Sequence, residues 1–296
     1  MKRTLLVASL CLLASFSFAQ KKAVRDAKSA MKSNIGEARE LIKPALTNSE
    51  TSSDPETWKV AGDIEYKVFD DERTLEMQKE INNGKGGNEE NMYNGLYNMY
   101  EPYLKADELG QLPDEKGKIK NKVRADIVKK FREGYRYFIN GGIFFNEKQD
   151  YKKATDFFER YWEMPNLPIF ADEKEPLINP EDTTLQTIKY YAVITAVQAK
   201  DHDRSIKLLT KLKDETYVPN STYKESDVYE LLASEYQSIK DSISYVNTLA
   251  NGAQKFPKNV YFTSNLINEY IRGGRTADAL VYLDQAIAND PSNSCD

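Results

Sequence analysis

Two stretches near the C-terminal end of this 296-residue chain match when one is shifted by 34 positions. Ala233, Tyr236, Leu249 and Pro257 of the first fall on Ile267, Tyr270, Leu283 and Pro291 of the second. A period of that length holds two helices and their turns. One such hairpin cannot bury its own apolar face, so consecutive copies have to stack. The frame recurs upstream. Gly142, Phe145, Asp150, Tyr151, Ala154, Phe158 and Pro165 form one unit, and Asp201, Ser205, Leu209 and Leu212 form a more degenerate one. Asp150 to Asp201 spans 51 residues and Asp201 to Asp241 spans 40, which places insertions at 166–182 and around 218–225. Small residues (Gly142, Ala154, Ala279) are expected where two helices cross. Large ones (Phe158, Leu209, Leu249, Leu283) are expected to face the next hairpin.

The strings EKQDYKKATDFFERYWEMP and GGRTADALVYLDQAIANDP resemble tetratricopeptide repeats (TPRs), whose period is about 34 residues. The chain as a whole resembles exported TPR proteins of Gram-negative bacteria. The resemblance is specific over 134–291 and more degenerate over 20–82. It is absent as a motif over 83–133, which reads as a helical insertion with a Gly-rich linker. The fold it implies is all-α, a right-handed superhelix of helical hairpins (a TPR-like α-solenoid). It implies a non-catalytic scaffold or adaptor that takes a protein or peptide along the concave face, which the first helix of each hairpin lines. The outward positions of those helices give candidate partner-binding residues: Arg136, Tyr190, Glu230, Gln237, Tyr261, Asn268 and Arg272. Tyr, Arg and amide side chains suit protein recognition. The last unit ends on Asp290-Pro291 and leaves a tail at 292–296. That predicts an array that continues beyond this chain, or a last hairpin that docks on something.

Local signals fill in the N-terminal half. Ala23, Ala27, Ala30 and Met31 share a helical face, Asn34-Ile35-Gly36 breaks it, and Ala38, Leu41, Ile42 and Ala45 resume it. Asp54-Pro55 reads as an N-cap followed by proline at the first helical position. A second short helix is expected at 72–82, and the Gly-rich run 83–88 separates it from a Tyr-rich helix at 89–109. Pro102 should kink or split that helix. Residues 111–117 read as a turn, and a longer helix is expected from Lys118 to Phe145.

Residues 1–19 carry Lys2 and Arg3, an apolar stretch and Ser17/Ala19, the layout of a cleaved secretory signal. The expected location is periplasmic or secreted. No other segment approaches the ~18 apolar residues of a membrane span, so no integral span is expected after cleavage. With Cys11 in the signal, Cys295 is the remaining cysteine and no internal disulfide is expected.

The formal charge of −5 and the lack of a Lys/Arg stripe argue against nucleic acid, whose phosphates supply most of that affinity. The single histidine, His202, excludes most nucleophile–histidine dyads and reads as a solvated turn residue. Zinc lacks ligands. Gly84–Gly87 lacks the features of a phosphate loop. Acidic pairs such as Asp70-Asp71 and Glu89-Glu90 read as solvated faces. No enzyme activity, metal or cofactor is expected. The competing class is glycan binding, with Tyr93, Tyr97, Tyr100 and Tyr103 as an aromatic platform; core packing at helical spacing explains the same residues.

Overall fold

The computed structural model describes residues 21–179 and 181–289. The expected export signal, both cysteines and the Asp290-Pro291 end lie outside the described residues. Among the described residues the chain is helical, without strands, and helices adjacent in sequence pack on one another. Among the described residues two compact units emerge, one within 21–141 with 164–177, the other within 142–163 with 178–289.

The first unit begins with α1 (21–30) and α2 (Ile35–Thr47). Asn34 stops one helix and starts the next, its side chain accepting from the Glu37 N–H at 3.1 Å. Ala27, Ala38, Ala45 and Ala61 are buried with Ile42, Val60 and Ile64, so methyl-sized contacts bring α1, α2 and α3 close. α3 (Pro55–Met77) starts as expected, with the Asp54 carboxylate accepting from the Glu56 N–H at 3.0 Å and Pro55 in the first turn. It then runs 23 residues without a break. The separate helix expected at 72–82 does not form. Phe69 is fully buried and Lys67 grips Asp71 at 2.9 Å, so packing and charge pairing carry the helix through the acidic run. α4 (Glu89–Gly110) is likewise one helix, with Pro102 inside it. The missing proline N–H does not split it, because buried Met99, Tyr100 and Tyr103 anchor the turns on either side.

Glycines let α3 and α4 touch. A β-carbon at Gly62 would lie 2.4 Å from the Tyr103 ring, and one at Gly95 would lie 2.7 Å from the Glu65 carbonyl. The run 83–88 is a fitted turn: a β-carbon at Gly87 would meet the Glu72 carbonyl at 2.1 Å. It hands over to the Asn88 cap of α4.

α5 (Arg124–Glu147) starts six residues later than the expected Lys118, because Asp114 folds 114–120 into a turn that accepts from the Lys116 and Lys118 N–H groups. Asp63 and Asp126 face Lys59 and Lys130 across α3 and α5. Lys59 reaches both carboxylates at 2.7 Å, Lys130 pairs with both, and the Tyr103 hydroxyl donates to Asp63 at 2.9 Å. Two cations and two anions cancel, as burial requires. The expected insertion at 166–182 is not a loose loop in its first part. Ile169 and Phe170 are buried, Phe170 lies edge-on to Phe131, and Arg132 donates to the Glu175 carbonyl at 2.7 Å.

The second unit takes the end of α5 and then α6 (Tyr151–Glu163), α7 (Thr183–Gln198), α8 (His202–Asp214), α9 (Glu225–Ser238), α10 (Ser242–Lys255), α11 (Val260–Arg272) and α12 (Thr276–Asn289). One turn recurs four times. Gln149, Lys200, Lys240 and Gly274 each adopt positive φ, of 60, 55, 61 and 69°. The next residue's N–H then reaches back to the carbonyl five positions earlier: Asp150 to Phe145, Asp201 to Ala196, Asp241 to Tyr236, Arg275 to Tyr270. This is the hydrogen-bonding pattern of a Schellman helix end. In the first three copies the Asp also caps the following helix. The crossing positions behave as the sequence predicts. A β-carbon at Gly142 would lie 2.3 Å from the Phe158 ring, and Ala154 and Ala279 are buried. Phe158, Leu209 and Leu249 are buried too. Leu283 departs from the pattern and is 43% exposed, as are Leu280 and Ile287 at comparable levels, because among the described residues no helix follows α12.

Candidate functional site

Six of the seven candidate residues lie in the second unit, and neighbouring contacts join most of them. Tyr190 on α7 stacks on Tyr223 at 4.7 Å with ring planes 4° apart. Tyr223 belongs to the short insertion before α9, which closes back on α7 through a 2.7 Å bond between the Thr187 and Thr222 hydroxyls. Burial pushes the Tyr190 hydroxyl up from its ordinary pKa, and the carboxylates of Asp227 and Glu230 on α9 add to the shift. Glu230 in turn accepts from the Asn259 amide at 2.6 Å. Asn259 caps α11 with its other amide atom, 3.0 Å from the Tyr261 N–H. Tyr261 is pushed up to about 12 by burial, then by Tyr245 and Glu230. Gln237 and Asn265 make long, 3.5 Å hydrogen bonds with the Tyr245 hydroxyl. Arg272 is exposed and pairs with Glu269 at 2.7 Å. Asn268 is exposed on the same helix.

The result is a half-buried polar strip across α7, α9 and α11. Its tyrosines stay protonated and able to donate, and its carboxylates are partly satisfied by amides. Arg136 belongs to the first unit, exposed on α5, with its Nε donating to the Tyr135 hydroxyl at 3.0 Å. Tyr223, Asp227 and Asn259 were not singled out from the sequence. Asn259 had a signal, since an asparagine just after Phe256-Pro257 is a natural cap. Tyr223 had none, because an insertion's path is not periodic.

His202 directly follows the turn and its side chain stays 39% exposed, but it also has a partner. It opens α8, and its Nδ1 lies 2.9 Å from Oε2 of buried Glu235, to which the buried Ser205 hydroxyl also donates. Serine, histidine and a carboxylate thus meet. The serine, however, bonds the carboxylate instead of the imidazole and has no exposure, so no base acts on it and no substrate reaches it. The trio satisfies a buried charge between α8 and α9. The tyrosine platform also takes another form. Tyr93, Tyr100 and Tyr103 are buried, the last two edge-on to Phe131 at 5.6 and 5.9 Å, while Tyr97 is half-buried. Among the described residues no group of His, Cys, Asp and Glu comes together to hold a metal ion, and no helix is long and apolar enough to cross a membrane.

The first unit holds a second surface that sequence reasoning missed. An open groove of about 980 Å³ runs over α3 between α2 and α4. Its α4 wall is a row of amides, Asn91, Asn94 and Asn98, followed by Pro102. Its floor carries Ile64, Val68 and Glu65, which Arg39 of the α2 wall holds through two 2.6 Å bonds. The 3–4 spacing of the asparagines was legible, but three helices must converge before it becomes a wall.

No protein-family model matches this chain, and no curated protein matches it either.

Proposed function

We propose that this protein is an exported, non-catalytic scaffold or adaptor of the cell envelope, built as a TPR-like superhelix, that binds a protein or peptide. The observation that carries this reading is the strip in the second unit. Tyr190, Glu230 and Tyr261 come from the first helices of three successive hairpins: Tyr190 stacks on Tyr223 and feels the charges of Asp227 and Glu230, and Asn259 joins Glu230 to Tyr261. The four repeated turns support the repeat architecture independently of the residues that first suggested it. Half-buried tyrosines with an arginine at the far end are the residue types that concentrate binding energy at protein interfaces.

The test is crosslinking in the native cell followed by mass spectrometry. A defined envelope protein crosslinked to residues 183–272 supports the reading. Recovery of the chain without a partner, or with polysaccharide in its place, counts against it.

A further inference from the structure

The groove of the first unit is a different surface from the strip. α2 and α4, its walls, are the second helices of their hairpins, whereas the strip is built from first helices. No aromatic side chain lines it, so it lacks the stacking surface that sugars and bases use. Four carboxylates (Glu40, Glu65, Asp71, Glu72) against two cations (Arg39, Lys43) make the lining net acidic, which disfavours phosphate and other anions.

What remains is the amide row. Each asparagine side chain offers a donor and an acceptor, the same pair a peptide group offers. Asn91 and Asn98, seven residues apart, are separated by about 10 Å along the helix. That equals about three residues of extended chain. Their present hydrogen bonds are long, 3.4 Å from Asn91 to Glu72 and 3.4 Å from Asn98 to Glu65, so exchanging them for a ligand's groups costs little. Ile64 and Val68 supply apolar floor between the polar walls.

Glu72 supplies an unpaired charge at one end of the groove. Its carboxylate accepts the Asn88 N–H at 2.8 Å and the Asn91 amide. No cation of the described residues lies within ion-pair distance of it, in contrast to Glu65 and Asp71, which Arg39 and Lys67 neutralise. Glu72 is fixed, charged and aimed at the amide end of the groove.

We propose that this groove binds an extended polypeptide segment of a partner, with Asn91, Asn94 and Asn98 gripping its main chain and Glu72 taking a lysine or arginine side chain. This rests on the reading of the protein as a protein- or peptide-binding scaffold and assigns it a second site.

The experiment pans a display library of random short peptides against the intact mature chain. Enriched peptides are then labelled and titrated by fluorescence anisotropy against three variants. Asn91 and Asn98 are exposed, so Asn91→Ala/Asn98→Ala keeps the helix intact. Glu72→Gln keeps an acceptor for Asn88 and removes the charge. Tyr190→Ala/Arg272→Glu perturbs the strip alone. The proposal expects peptides rich in Lys or Arg that weaken roughly tenfold on the asparagine variant. They should also weaken on Glu72→Gln and ignore the strip variant. Peptides that ignore the groove variants and follow the strip variant overturn the groove and leave the scaffold reading standing. An empty selection overturns the groove, and the crosslinking experiment then decides the scaffold reading by itself.

Discussion

Lys200 holds its backbone at φ 55° in a region that costs an L-residue about 1–2 kcal/mol and glycine almost nothing. Lys240 and Gln149 carry the same strain at the equivalent turns, while Gly274 avoids it in the fourth. The turn is retained whatever residue occupies it, because the back-bond from the following N–H and the aspartate cap hold it from both sides. Lys200→Gly is therefore expected to raise stability by about 0.5–1 kcal/mol in urea unfolding. Gly274→Ala, with open space around it but the wrong φ, is expected to lower stability by about 1 kcal/mol. Equal effects of the two changes would contradict a shared turn. The sequence announced the aspartates at 150, 201 and 241 by their spacing. It did not announce the left-handed residue before them, since lysine and glutamine are not turn residues by composition.

At the scale of elements, helix starts were the most legible feature and helix ends the least. Asn34 and Asp54-Pro55 cap through their own side chains, a local interaction visible in the sequence. The extra break near 72 does not form, and the helix is not split at Pro102, because buried partners on other helices decide whether a weak segment stays helical. The charge cluster joining α3 and α5 is the extreme case. Lys59, Asp63, Asp126 and Lys130 look like ordinary surface charges until Asp63 is seen to be buried under Tyr103. Asp63→Ala would leave Lys59 and Lys130 two cations for one remaining carboxylate. It is expected to destabilise the first unit by about 3 kcal/mol by chemical unfolding; a loss under about 1 kcal/mol would mean the cluster is merely solvated. Burial acts to raise the Asp126 pKa, but the hydrogen bonds and charges of Lys59 and Lys130 outweigh it and hold the group below its ordinary value. Its contribution is complete above an unfolded pKa of about 4 and is lost as pH falls through the folded value. Acid unfolding of Asp126→Asn should accordingly be less steep below that pH than acid unfolding of the parent.

Across the whole molecule the tyrosines set the alkaline limit. Tyr66, Tyr93, Tyr103, Tyr190, Tyr223 and Tyr261 are all pushed up, burial being the largest cause at each, with Tyr93 and Tyr261 at about 12. A folded pKa above the unfolded value of about 10 gives stability that is intact below that pH and lost as pH rises through the folded value. Tyrosinate absorbance should therefore lag behind free tyrosine and rise together with loss of helical circular dichroism. Independent titration of these tyrosines while the helices persist would contradict their burial.

The all-helical class was legible at this scale because the helical spacing of apolar residues survives sequence drift. The strip was legible in part, since helix position selects Tyr190, Glu230 and Tyr261, but its insertion-borne tyrosine was not. The groove was not legible, because its walls come from helices whose packing depends on Gly62 and Gly95. The central claim is that the strip recognises a protein partner. Isothermal titration of the crosslinked partner, once identified, into the parent chain and into Tyr190→Ala/Arg272→Glu tests it most directly. The account predicts a loss of roughly tenfold or more in affinity, with the helical content unchanged. Equal affinity for the two proteins would contradict it.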